Sequence, residues 1–241
     1  MVFISGGATG IGADTARAFA EQEARVVFVD IDAEAGAALA AEIAETCPAP
    51  RFIACDVTDD AALLAALEAA EAEGGVEALV NNAANDTRHD VAEIDADRWR
   101  AMVDVNLRHQ FVAARAVCGW MKGRGRGSVI NFGSVAPTAM IENLAVYSMC
   151  KAAVRGLTRS LARDYGPFGV RANTIVPGAV LTARQRALWF SDRASIDRAL
   201  AGQCLKRELA GRDVAEMALF LASDVSAACT GQDFIVDAGT I

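Results

Sequence analysis

The sequence predicts an α/β fold: one parallel sheet wound on both faces by helices. Three observations carry that prediction. Seven short runs rich in β-branched residues and Phe alternate with longer, Ala-rich stretches of helical character. The alternation continues along the whole chain, and such strand–helix–strand units close as crossovers between parallel strands. The first strand candidate runs straight into a glycine-rich turn and then a helix. With 241 residues, 53% of them hydrophobic, one large core can be buried. No repeat or low-complexity linker divides the chain, so a single domain over residues 1–241 is expected.

The elements follow in order. Strand Val2–Ser5 leads through the glycines to helix Gly12–Glu23. Strand Arg25–Asp30 and helix Ala33–Thr46 come next, then strand Arg51–Cys55 and helix Ala61–Glu73, with Asp60 near its start. Strand Ala78–Asn81 precedes a long helix, Ala96–Met121. Strand Ser128–Gly133 leads to helix Ala145–Asp164, which Gly166-Pro167 closes. After strand Arg171–Val176 the alternation breaks: Pro177–Cys204 is a long insertion, read as a substrate lid at about 178–205. Helix Asp213–Ala222, opening near Gly211 or Arg212, and strand Phe234–Val236 complete the sheet.

Composition excludes several classes of function. The net charge of −8 argues against duplex DNA or an anionic membrane as partner, since phosphate binding needs a basic footprint. No run of about 20 apolar residues could span a bilayer. The opening residues read as a strand, not as the basic and apolar sequence of a signal peptide. Six scattered cysteines form no Cys-x-x-Cys pair and read as free thiols of a cytoplasmic protein. Two histidines, His89 and His109, are too few for an ordinary zinc site.

The turn Gly6-Gly7-Ala8-Thr9-Gly10-Ile11-Gly12 is a phosphate cradle in the expected context. Its glycines allow a tight turn, close approach to a pyrophosphate and close packing of the helix on the sheet. The helix N-terminus then offers free N–H groups and a positive dipole end. Asp30 ends the second strand, where a carboxylate accepts from the adenosine ribose hydroxyls and repels a 2′-phosphate. With Ile31 and Asp32 following, no Arg or Lys offsets that repulsion, so NAD is expected over NADP. Asp32 reads as a helix-start residue. Asp56, followed by Val57 at the end of the third strand, is placed to bond the adenine amino group.

Tyr147 and Lys151, four apart on a helix, share one face. A free phenol is a poor base at neutral pH, and a neighbouring ammonium is expected to lower its pKa. Ser134, at the C-terminal end of its strand, faces the ligand crevice and is placed to bond the reacting oxygen. Asn106 is expected to interrupt the long helix and hold a water beside Lys151.

The ordered set Ser5-Gly6-x-x-x-Gly10-Ile11-Gly12, Asp30, Asp56-Val57, Asn81-Asn82-Ala83-Ala84, Asn106, Ser134, Tyr147-x-x-x-Lys151 and Pro177-Gly178-x-x-x-Thr182 resembles the short-chain dehydrogenases/reductases over nearly the whole chain. The resemblance implies a Rossmann-type doubly wound sheet. It also implies a catalytic tetrad of Asn106, Ser134, Tyr147 and Lys151, the last two also touching the cofactor. Asn82 and Ala83 would line the cofactor ribose, and Pro177, Gly178, Val180 and Thr182 would hold the nicotinamide carboxamide and phosphate. Ala84 departs from the usual Gly, by one methyl group. In this family the helices Ala96–Met121 and Ala145–Asp164 usually pack against their copies, so a homotetramer or dimer is expected. Ala152, Ala153, Val154, Leu157 and Leu161 would form the contact stripe.

The chain is more closely similar to the family's bacterial sugar 1-dehydrogenases of the D-xylose and D-galactose type. That similarity rests on Asn85-Asp86-x-Arg88-His89, Val105 to His109, Val129 to Ser134 and Gln203 to Lys206. It implies oxidation of an aldose at its anomeric hydroxyl. Glu142 and Asn143, on the loop before Tyr147, supply polar groups for a sugar. Asn85, Arg184 and Gln185 add donors and acceptors, and Trp189 offers an aromatic face to a pyranose. The plainer reading gives Arg88 and His89 a bracing role and puts Trp189 in the lid's own core. Two other functions remain open at this point. One is a dehydrogenase or reductase of polyols or 3-oxoacyl thioesters. The other is a catalytically silent NAD-binding sensor, against which the intact Ser134, Tyr147 and Lys151 argue.

Overall fold

In the computed structural model, which describes residues 1–241 throughout, seven strands form one parallel sheet. They are β1 (Val2–Ser5), β2 (Val26–Asp30), β3 (Arg51–Ala54), β4 (Ala78–Asn81), β5 (Gly127–Phe132), β6 (Val170–Pro177) and β7 (Asp233–Val236). Their spatial order is β3-β2-β1-β4-β5-β6-β7, with every pairing parallel. The chain winds outward from β1 to β3, then returns to place β4 on the other side of β1. That reversal opens a crevice beyond the C-terminal ends of β1 and β4, where doubly wound sheets bind ligands.

Ten α-helices accompany the sheet: α1 (Gly10–Glu21), α2 (Ala33–Ala44), α3 (Asp60–Ala72), α4 (Ala96–Val103), α5 (His109–Arg124), α6 (Ala136–Ala139), α7 (Ala145–Tyr165), α8 (Ala183–Leu188), α9 (Arg193–Gly202) and α10 (Gly211–Ala222). The strands alternate between two buried faces. Phe3, Val27, Val29, Leu79 and Val129 meet α3, α5 and α7 through Leu63, Leu67, Val117, Met121 and Leu161. Val2, Ile4, Val26, Phe28, Val80 and Ile130 meet α1, α2 and α10 through Phe19, Leu39, Val214 and Leu221. Burial on both faces explains why these strands read as apolar runs in the sequence.

All seven expected strands are present. The expected helix Ala96–Met121 is divided: five residues of π-helix, Asp104–Arg108, separate α4 from α5, and Asn106 lies within that turn, as its reading as an interruption requires. The insertion after β6 contains α8 and α9. Its base is tied by a parallel bridge between Val180 and Leu209. No helix is long and apolar enough to cross a membrane.

Candidate active site

A cleft of about 900 Å³ opens at the switch point between β1 and β4. Gly6, Gly10, Ile11, Asp30, Ile31, Asp56 and Val57 line one end. Asn82, Ala83, Pro177, Gly178, Val180 and Thr182 line its middle. Asn85, Asp86, Ser134, Tyr147, Lys151, Gln185 and Trp189 close the other end. Of the expected cofactor residues, only Gly12 does not face the cleft, and its role is packing. A Cβ there would lie 1.9 Å from the Gly6 carbonyl oxygen and 2.7 Å from the Asn82 amide nitrogen. Gly6 adopts φ +65°, and a Cβ on it would come within 2.7 Å of the Ala83 Cα. Larger residues would therefore fill the cradle, and the groups present fit a dinucleotide on the N-terminus of α1.

Local hydrogen bonds hold this wall. Asn82 donates its amide to the Ser5 and Gly6 carbonyls at 3.2 and 2.7 Å. The Ser5 hydroxyl accepts from Ala83 N–H. Asp30 accepts from the N–H groups of Ala8 and Asp32, so its carboxylate is fixed against the glycine turn. Asp32 caps α2 by accepting from Ala35 N–H. Asp56 accepts from Thr58 N–H and hydroxyl, which fixes its carboxylate in the cleft wall.

His109 is a further support that the sequence did not suggest. It is 1% exposed, and its Nε2 lies 2.9 Å from the Ala83 carbonyl. A carbonyl can only accept, so the proton sits on Nε2. Burial, aided by the charge of Lys151, lowers its pKa to about 3, so the ring is neutral. No local signal could have revealed it, because its partner lies 26 residues away.

At the reacting end, Tyr147 and Lys151 descend from the first two turns of α7, and Ser134 follows β5. The Lys151 ammonium donates to the Phe132 carbonyl at 2.9 Å and lies 5.6 Å from the centre of the Tyr147 ring. Burial lowers its pKa to about 8. The expectation of a lowered phenol pKa is corrected in this state of the site: protein packed around the phenol raises its pKa to about 12, and only the Ser134 hydroxyl, within hydrogen-bond reach, opposes this. Desolvation of the anion outweighs an ammonium that is itself buried and bonded elsewhere. Asn106 is fully buried; its side chain accepts from Asn85 N–H at 2.8 Å and donates to the Met102 carbonyl. It thus ties the π-turn to the loop after β4.

Glu142 requires a second correction. It is exposed and lies outside the cleft wall, which is formed here by Ile141 and Leu144. The loop turns through left-handed residues at Met140 and Asn143 (φ 52° and 60°), and Glu142 between them stays on the outer surface. Asn143 also lies outside; its carbonyl accepts from His89 N–H. The His89 side chain accepts from Val146 N–H and so caps the start of α7. The bracing role of His89 is therefore present. Arg88 places its guanidinium 4.4 Å from the centre of the Trp189 ring, a cation–π contact that occupies one face of that ring. Arg184 donates to Asn85, Asp86 and Thr87, and Gln185 donates to Asp86, so α8 is fastened to the loop after β4.

A long cleft at the switch point, ending on a half-buried phenol beside a buried ammonium, defines a nicotinamide-dependent oxidoreductase. Comparison with known proteins narrows the class. A family model described as Enoyl-(Acyl carrier protein) reductase matches residues 6–240. The chain is 45% identical over 240 residues to the Probable galactose dehydrogenase GalD of Rhizobium meliloti, covering 99% of this chain and 93% of that one. It is 43% identical to the D-xylose 1-dehydrogenase of Caulobacter vibrioides, covering 99% and 94%. A solved structure of a short chain dehydrogenase/reductase family protein superposes with a TM-score of 0.87 at 31% identity, covering 99% and 95%. The chain belongs to the short-chain dehydrogenase/reductase family.

Proposed function

We propose that the protein oxidises the anomeric hydroxyl of an aldopyranose, pentose or hexose, to its lactone, with NAD as the acceptor. The observation that carries this reading is its similarity to two sugar dehydrogenases along almost its whole length. The polar substrate end of the cleft supports it, and Asp30 in the adenosine end supports NAD over NADP.

In this reading Tyr147, as phenolate, takes the proton of the anomeric hydroxyl. Ser134 donates to the same oxygen and holds it in place. Lys151 passes the proton outward and, with Asn106 in the π-turn, keeps the base supplied. The bound nicotinamide supplies the hydride acceptor and, when oxidised, a positive charge that favours the phenolate. Asn82, Ala83, Pro177, Gly178, Val180 and Thr182 hold the cofactor's centre, and Gly6, Gly10, Ile11, Ile31, Asp56 and Val57 its adenosine side. Asn85, Gln185 and Trp189 face the sugar, under a lid formed by residues 178–205. We further propose that the protein works in the cytoplasm, in keeping with its six free thiols, and assembles as a homotetramer or dimer.

The test is a panel of pentoses, hexoses, polyols and acyl thioesters with NAD, read by absorbance of the reduced cofactor. An aldose should turn over, with acid released as the lactone hydrolyses. Turnover of a polyol or thioester with no aldose active would remove the sugar assignment.

A further inference from the structure

The loop after β4 brings one carboxylate to the substrate end of the cleft, Asp86. Its side chain is 24% exposed and shares the cleft wall with Ser134 and Tyr147. Both oxygens are fixed from the lid side: Oδ1 accepts from Arg184 Nε at 3.5 Å and Oδ2 from Gln185 Nε2. A carboxylate can accept about four hydrogen bonds, so half of its capacity is open. Its charge reaches both reacting groups: it adds to the burial that raises the Tyr147 pKa and partly opposes the burial that lowers that of Lys151. Lys151 on its own helix, Asp86 and Arg88 on the loop after β4 and Arg184 on α8 are the charged groups that line this end of the cleft with Tyr147; His109, behind, is neutral.

The neighbouring acceptors are already engaged. Asn85 Oδ1 receives Thr87 N–H, the Thr87 hydroxyl and Arg184. The Ser134 hydroxyl receives Ala136 N–H. Glu142 is outside the wall. A polyhydroxy substrate brings several O–H donors, and a charged acceptor gives the stronger bonds. An apolar alcohol would instead cover the carboxylate while leaving its two open acceptor positions unfilled, at a desolvation cost.

We propose that Asp86 is a specificity-determining residue that accepts one or more hydroxyls of the sugar remote from the reacting carbon. The proposal rests on the sugar reading above and names the group that would enforce it. The same carboxylate anchors α8, so the bond that recognises a hydroxyl and the bonds that hold the lid meet on one side chain.

The test is a cycle of substrates and variants. D86A and D86N are assayed with NAD on the preferred aldose, on its series of deoxy analogues, and on cyclohexane-1,2-diol against cyclohexanol. Loss of one charged hydrogen bond should lower kcat/KM on the parent aldose on the order of 100-fold in D86A. On the deoxy analogue that lacks the bound hydroxyl, D86A should cost little more. An equal loss on the parent and every deoxy analogue would overturn the proposal and leave Asp86 a structural residue. A second readout needs no substrate. The chain has two tyrosines, so ultraviolet titration with Y147F as the blank isolates the Tyr147 phenol. In D86N that phenol should ionise at lower pH; no shift would also overturn the proposal. If the unmodified protein oxidises no aldose, the sugar reading fails separately. The diol-to-cyclohexanol ratio and the titration then decide whether Asp86 is a hydroxyl acceptor beside the base.

Discussion

Replacing Tyr147 with Phe keeps the ring and removes the proposed proton acceptor. Turnover should fall on the order of 100-fold or more, with cofactor affinity, read by fluorescence of the reduced nicotinamide, little changed. In the unmodified protein kcat/KM for oxidation should rise with pH, because the proposed base is the ionised phenol and burial holds its pKa high, at about 12 before the cofactor's charge acts. A flat profile would refute the base. Asp30 should make NAD preferred over NADP by roughly tenfold or more, and Asp30→Ala should narrow that ratio; comparable efficiency with both cofactors in the unmodified protein would refute the assignment. His109 carries a folding consequence. Its pKa is depressed from 6.5 to about 3, so the unfolded chain binds the extra proton first as pH falls. Stability is fully present above 6.5 and drains away as pH drops toward 3. His109→Gln keeps a donor for the Ala83 carbonyl but does not titrate. Urea unfolding between about pH 6 and 4 should show the unmodified protein losing about 1.4 kcal/mol more per pH unit than the variant. The residues whose chemistry depends on short spacing, Tyr147 with Lys151, were legible in sequence. His109, Asp86 and the outward position of Glu142 were not, because each depends on a contact or a backbone turn that no local pattern encodes.

Among elements, the strands were the most readable. Both faces of the sheet are buried over the inner strands, so these stand out as short apolar runs between polar turns, while the edge strands β3 and β7 are half-exposed. The division of the long helix was legible only as a reading of Asn106. The five-residue π-turn around it widens the backbone locally, and the Asn106 side chain then bonds the loop after β4 and the preceding turn. Helix α1 begins two residues earlier than expected, at Gly10, whose left-handed φ of 55° turns the chain from the cradle into the helix. Asp32 and Asp30 stand two residues apart with separate duties. Asp32→Ala should cost about 1 kcal/mol of stability through loss of the α2 cap, measured by denaturant unfolding. The NAD to NADP ratio should stay unchanged, and a changed ratio would contradict this division of roles.

At the scale of the whole molecule, the outer surface of α4, α5 and α7 exposes Trp99, Phe111 and Met149 by 44, 52 and 45%. The contact stripe expected from sequence is only partly available. Val154 and Leu161 are buried in the chain's own core, while Ala152 and Ala153 remain outside, on the same helix as Met149. Helical periodicity alone could not say which side of α7 met the sheet. The remaining apolar face suits close packing against a second copy. Sedimentation at micromolar concentration should show a dimer or tetramer, and Phe111→Glu should shift the population toward monomer. A monomer in the unmodified protein would leave that apolar surface without a partner.

The contact between Arg88 and Trp189 gives the protein a built-in optical gauge. Indole emission overlaps the absorption of reduced nicotinamide, and one of the chain's three tryptophans stands in the cleft wall, on the insertion proposed as the lid. Energy transfer from Trp189 can therefore follow coenzyme arrival and lid movement in real time, without a label, and Trp189→Phe supplies the dark control.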